Sequence, residues 1–274
     1  MNARNHLILT GILIILFSAC QSGIRYPDNL PEADKTEEFV NNGITTITFF
    51  DRDGAVFRIT SHDSTGKPCI NETSGAAEII ILKKDQISET TYYDTRERAM
   101  INPLYGYARS RRTRTTDGDI EEESFYDLKD KLVVPYSTGY AVRRYEYDTD
   151  HNLTRTMSYN AKRELLLPVI VYSYNSDFMN TRVSYVDESG QLMLNRWGYA
   201  YMDSEYSGNM LMGYSYHDLN GNPVMVNEQE EYTINGKNEN TPFARASYHQ
   251  YENSTFLRLY DTDDNLIKEI AFEQ

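Results

Sequence analysis

From Ile44 onward the chain alternates between short runs of β-branched and aromatic residues and short polar breaks. ITTITFFDRDGAVFRITSHDSTGKP (44–68) sets the rule: a strand-forming run, a break holding Gly54, a second run, and a break holding Gly66. Val, Ile, Thr, Tyr and Phe suit a pleated, half-buried surface, and Gly or Asp between such runs supplies turn conformations. The same grammar continues to the C-terminus and predicts an all-β chain of hairpins. Stretches such as ESFYDLKDKLVVP (123–135) alternate only in part, which predicts strands partly covered on both faces.

The words of this grammar also return at fixed distances. GYA occurs at Gly106–Ala108, Gly139–Ala141 and Gly198–Ala200, and Tyr-Asp occurs at Tyr93, Tyr126, Tyr147 and Tyr260. Tyr93 to Tyr126, Tyr126 to Tyr159, Gly106 to Gly139 and Tyr199 to Tyr232 are all 33 residues, whereas Tyr140 to Tyr199 is 59. A fixed period of this size predicts a repeat architecture with a shortened unit in its middle. Asp after Tyr suits the first position of a turn, where its side chain takes a backbone N–H two residues on. DESG (187–190), DLNGN (218–222) and DTDDN (261–265) supply residues that tolerate left-handed backbone. GYA places Gly where the chain bends, with Tyr and Ala opening the next strand. The expected fold is therefore a tandem array of β-hairpins over residues 43–274, forming an extended twisted sheet or an open β-solenoid-like array.

The N-terminus departs from this pattern. Leu7–Phe17 is an apolar run behind the positive Arg4, too short to cross a bilayer core of ~30 Å as a helix and suited to a signal-peptide core. Small Ser18 and Ala19 lead into Cys20. That order resembles the bacterial lipoprotein signal, with Phe17 standing where Leu is more usual. The resemblance implies that residues 1–19 are removed and that Cys20 is acylated, anchoring the chain to a membrane. Residues 20–42 then read as a tether, flexible over its first ten residues. Pro31 through Asn41 is expected to form a short helix, with Pro at its start, acidic residues near its positive end and Asn-Asn-Gly to stop it. A lipidated Cys20 leaves Cys69 without a partner for an intrachain disulfide, so Cys69 reads as a small packing residue.

Composition sharpens the picture in two ways. Tyrosine, at 23 residues against 10 Phe and one Trp, suits a thin sheet whose rings cover a face while their hydroxyls stay wet. A formal net charge of −14, together with export, disfavours nucleic acid as a partner. The one basic cluster, Arg109 through Arg114, is expected to pair with acidic neighbours such as Glu121–Glu123 on an adjacent strand.

YDTDHNL (147–153), YHDLNGNPV (216–224) and YDTDDNLIKE (260–269) resemble the YD-type and MORN-like tandem β-hairpin repeats of bacterial surface and secreted proteins. The resemblance spans residues 44–274, with TRER, LKDK and NAKR standing where those repeats carry a turn glycine. Joined to the Cys20 signal, it implies a repeat-bearing lipoprotein of the Bacteroidetes type, seated in the outer membrane on its periplasmic or surface side.

Candidate chemistry is sparse. Asp148, Asp150 and Asn152, and likewise Asp261, Asp263 and Asn265, place oxygens at alternate positions as a Ca²⁺ loop would, but without its glycine and distal Glu. No histidine pair has metal-binding helical spacing, and no nucleotide or hydrolase motif is present. Ser64 to Lys67 matches an SxxK spacing, yet Gly66 and Pro68 place it in a turn, where the two side chains do not converge. Trp197, Tyr199 and Tyr201 would share one face of a strand and could stack against a sugar. The reading that results is a lipid-anchored, non-enzymatic envelope protein, without cofactor, whose β-repeat surface binds a protein or another envelope component. The alternative is a glycan-binding surface lipoprotein.

Overall fold

The computed structural model describes residues 24–226, 232–234, 237–239, 241–251 and 254–272; residues 1–19, expected to be a signal, and Cys20 lie outside them. The strands are β1 Lys35–Asn41, β2 Ile44–Phe50, β3 Val56–His62, β4 Glu78–Lys84, β5 Ile87–Tyr93, β6 Arg109–Arg114, β7 Ile120–Tyr126, β8 Val142–Tyr147 and β9 Leu153–Tyr159. They continue as β10 Leu165–Tyr174, β11 Asn180–Val186, β12 Tyr201–Ser207, β13 Met210–His217, β14 Tyr232–Ile234, β15 Lys237–Glu239, β16 Arg245–Tyr251, β17 Ser254–Tyr260 and β18 Leu266–Phe272. Sixteen of them form one open sheet in chain order, with β14 and β15 set apart as their own hairpin between β13 and β16. Sequence neighbours pair antiparallel, as in β1 with β2, β4 with β5 and β16 with β17, which makes a meander and not the stacked coils of a solenoid.

No helix occurs among the described residues, and the helix expected at Pro31–Asn41 is replaced by β1. Asn42 and Gly43, at φ 49° and 75°, form a two-residue hairpin turn, so the Asn-Asn-Gly expected to end a helix instead folds KTEEFVN back onto ITTITFF. A short helix there would have no face to dock, while the strand gains a full ladder of backbone bonds.

The turns share one bonding scheme. At Asp51, Asp63, Asp94, Asp127, Asp148, Asn160, Asn175, Asp187, Asp218 and Asp261 the side-chain Oδ1 accepts the N–H groups of the second and fourth residues onward. The third residue onward donates its N–H back to the first carbonyl and sits at positive φ. In some turns that residue is glycine, as at Gly66 (φ 80°) and Gly221 (φ 86°). In TRER, LKDK and NAKR it is Glu97, Asp130 and Arg163, at φ 59°, 63° and 62°. The side-chain cap therefore holds the left-handed residue in place even where a Cβ opposes it.

By contact density the chain divides into two compact units, Met1–Arg143 with Tyr159–Glu164, and Arg144–Ser158 with Leu165–Gln274. In both, the turn after a Tyr-Asp-type pair leads into a covering loop that ends at an alanine. Ala77, Ala108 and Ala141 in the first unit, and Ala200 and Ala244 in the second, are almost wholly buried. Each donates its N–H to the last residue of a later strand: Tyr93, Tyr126, Tyr159, His217 and Tyr260. Each carbonyl accepts from Ser61, Tyr92, Phe125, Tyr185 or Tyr216, in the strand before the loop. The loops also bond to one another, Asn102 Nδ2 to the Ser74 carbonyl at 2.7 Å and Tyr136 N to the Tyr105 carbonyl at 3.1 Å.

At four of these alanines, Ala77 with its preceding Ala76 excepted, the residue before is an aromatic laid across the sheet. In the first unit the rings run Tyr92–Tyr107–Phe125–Tyr140 at centroid spacings of 5.7, 4.8 and 6.0 Å. In the second they run Tyr185–Tyr199–Tyr216–Phe243 at 5.4, 4.7 and 5.6 Å. Strand and loop aromatics alternate, so the core of each unit is the sheet face closed by its own loops. Tyr93, Tyr126 and Tyr159 are equivalent positions, as their spacing predicts. The Tyr199–Tyr232 interval is not a repeat: Tyr232 belongs to β14, and the position matching Tyr199 is Phe243.

The turn geometry has a direct test. Phe178, at φ 61°, carries the cost of a left-handed L-residue, so Phe178→Gly should raise stability by about 0.5–1 kcal/mol. Gly66→Ala, with open space around the added Cβ but the same backbone demand, should lower it by about 1 kcal/mol. Thermal denaturation of the two variants checks both signs.

Candidate functional site

In the first unit, Tyr92 faces the aromatic ladder and its neighbours Thr91 and Tyr93 face the other way, as strand alternation requires. This second face carries Arg58 on β3, Glu78 on β4, Glu89 on β5 and Arg109 on β6. A cavity of about 380 Å³ opens on it, lined by Leu82, Glu89, Tyr93, Arg109, Lys129 and Asp130 and closed on one side by Ile24, Arg25 and Pro27.

The N-terminal segment is held there by Tyr26. Its ring meets Tyr93 edge-on at 5.1 Å, its hydroxyl donates to Glu78 Oε1 at 2.9 Å, and the Tyr93 hydroxyl donates to the Arg25 carbonyl at 3.3 Å. Glu78 is itself paired with Arg58 at 2.5 Å. Burial, with the Glu78 hydrogen bond and charge adding to it, pushes the Tyr26 hydroxyl up to about 12, and burial pushes Tyr93 up to about 12. The segment read as a flexible spacer is thus clasped to the sheet from residue 24 onward.

Arg109 crosses the floor of the cavity. It lies 4.9 Å from the Tyr126 ring centroid and pairs with Asp130 at 2.5 Å and Glu89 at 3.3 Å. Arg111 approaches Glu89 at 3.0 Å, but without the alignment of a directed hydrogen bond, so that contact is electrostatic. On the ladder face Arg112 bonds Glu123 at 2.7 Å. The basic run is therefore paired as its alternation suggests, although Glu122 takes Arg163 and Glu89 is the partner that sequence proximity did not reveal. Arg25 and Lys129, by contrast, have no ion-pair partner among the described residues. The same arrangement recurs in the second unit, where Arg245 stacks on Tyr260 at 3.9 Å and bonds Asp264 at 2.8 Å.

The other sequence candidates do not assemble into a site. Trp197 lies in the loop before β12 and not on a strand, so alternation does not align it with Tyr199 and Tyr201. It is half-buried, stacked at 6.3 Å on Tyr199, which belongs to the core cluster. Tyr201 stacks instead on His217 at 4.7 Å, with Arg182 over its ring at 4.2 Å. Asp148 and Asp261 spend their oxygens on turn N–H groups and on the amides of Asn152 and Asn265, and no group of three or more His, Cys, Asp or Glu able to hold a metal ion occurs among the described residues. Ser215 and His217 meet at 2.8 Å through Nε2, and Asp203 approaches that same nitrogen at 3.8 Å, while Nδ1 faces the Gly221 carbonyl. An acid that orients a catalytic histidine acts at the opposite nitrogen. His62 repeats the pattern with Thr60 and Gly66, which marks it as part of the turn scaffold. Ser64 and Lys67 sit in the Asp63 turn.

No family model and no curated protein matches the chain. Among solved structures, one described as the crystal structure of TcdB2-TccC3-Cdc42 is similar over 83% of this chain, at 12% identity and a TM-score of 0.40. The chain spans about a tenth of the length of that solved chain, of which 10% is covered.

Two outcomes are expected. Because the raised tyrosine values favour the neutral hydroxyls in the fold, the contribution of the Tyr26 clasp is complete below pH ~10 and is lost as pH rises through about 12. Absorbance titration of tyrosinate should show a late-ionising fraction that shrinks in Tyr26→Phe. Trp197→Ala should lower stability by about 2–3 kcal/mol, somewhat less than for a fully buried Trp, without a matching loss of binding on a glycan array. Unchanged melting with abolished glycan binding would make Trp197 a sugar platform.

Proposed function

We propose that the chain is a lipid-anchored, non-enzymatic envelope protein that uses its β-repeat sheet as a binding surface for an envelope protein. The observation that carries this reading is the clasp at Arg25–Pro27. A chain acylated at Cys20 reaches its folded unit only four residues later, a span of at most ~14 Å, so the sheet would sit directly against the membrane. The division of the sheet supports the same reading. In each unit one face is closed by loops, and the other carries stacked Arg–Tyr pairs and solvent-accessible grooves, including one of about 580 Å³ between Glu146, Arg155, Ser184 and Leu192 in the second unit. The geometry at Ser215 and His217 supports a structural role there and not a nucleophilic one.

The anchor is tested by expressing the wild type and Cys20→Ser. The wild type should incorporate labelled fatty acid and enter the detergent phase, and Cys20→Ser should stay in the aqueous phase, because the acyl chains supply the affinity. A wild type that takes up no label and stays in the aqueous phase would sink the lipoprotein reading.

A further inference from the structure

The cavity beside the clasp has features that the anchor alone does not explain. Its two acids, Glu89 and Asp130, are both engaged by Arg109. That leaves Arg25 and Lys129 as cations at its mouth, on a chain whose formal net charge is −14. Ile24, Pro27 and Leu82, the last 38% exposed, give the same opening an apolar rim. At about 380 Å³ it is large enough for a small polar molecule.

We infer that this cavity binds the anionic phosphodiester headgroup of a membrane lipid. A guanidinium fork matches phosphate oxygens in a bidentate way, and a lysine ammonium adds a point charge. The apolar rim suits the glycerol and the start of the acyl chains. The source of the phosphate follows from the chain itself. Arg25 is five residues from Cys20, so the wall that carries it is held within reach of the bilayer surface. This step rests on the anchored reading of the chain. The strong negative charge of the protein as a whole gives no general attraction to an anionic surface, so any such binding has to be local.

The test uses the chain from residue 20 onward carrying Cys20→Ser, which has neither the apolar run Leu7–Phe17 nor an acyl group, in flotation with phosphatidylcholine vesicles prepared with and without phosphatidylglycerol. It should float with the phosphatidylglycerol vesicles alone, and added salt or glycerol phosphate should release it. Arg25→Gln combined with Lys129→Gln should weaken flotation roughly thirtyfold, from about 1 kcal/mol per cation near such a surface. Thermal melting and the late tyrosine titration verify that this variant keeps its fold and its clasp. No flotation, or flotation unchanged in the double variant, overturns the site. Binding of glycerol phosphate by the protein without any vesicle binding overturns the membrane source in favour of a soluble phosphate. Failure of the anchor itself is read separately, as a wild-type mass without acyl chains.

Discussion

A backbone position that must bond to two strands at once governs this structure. At Ala77, Ala108, Ala141, Ala200 and Ala244 a covering loop re-enters the sheet, its N–H serving the strand ahead and its carbonyl the strand behind. Three of these alanines and Ala244 are wholly inaccessible to solvent, which leaves no room for a longer side chain. Two features follow from the splice. The residue before it is pressed onto the ladder face, as Tyr107, Tyr140, Tyr199 and Phe243 are. The residue after it opens the opposite face, and in this way Arg109 and Arg245 reach Tyr126 and Tyr260. Core and candidate site are thus two sides of the same junction.

Much of this was legible in the sequence, because turn chemistry is local. The Tyr-Asp pairs mark turn starts, and GYA marks the splice. The 33-residue spacing of Tyr93, Tyr126 and Tyr159 matches equivalent positions in the sheet. Less legible was how the turns survive without glycine. Glu97, Asp130 and Arg163 take the left-handed position because the carboxylate or amide three residues earlier bonds the chain on both sides of it. Composition at the strained position says nothing about that. The Tyr199–Tyr232 spacing misled, since an inserted hairpin at β14 and β15 displaces the register of the last unit.

The N-terminal region shows where local reading stops. KTEEFVN has acidic residues and a following Asn-Asn-Gly that serve a helix or a hairpin equally well, and the neighbouring ITTITFF decides between them. The candidate site was hidden for a related reason. Tyr26 and Arg25 lie 52 and more residues from Glu78 and Arg109, and their contacts are made by side chains across a sheet face. The one signal available was Tyr26, the single aromatic in the first ten residues of the tether. Trp197 was misplaced because strand alternation was applied to what is a loop.

The serial pairing of strands also bears on how the chain comes to be folded. β-rich proteins are ordinarily slow because distant segments must find each other before any contact rewards the search. Here the strands of the main sheet pair with their nearest predecessors in the chain, with β14 and β15 as the one interruption. Loop closure at each step is therefore short and its entropic cost small. Assembly can begin at any hairpin and extend strand by strand, so a chain emerging from a narrow channel can order each strand as it appears, before the rest of its sequence has followed.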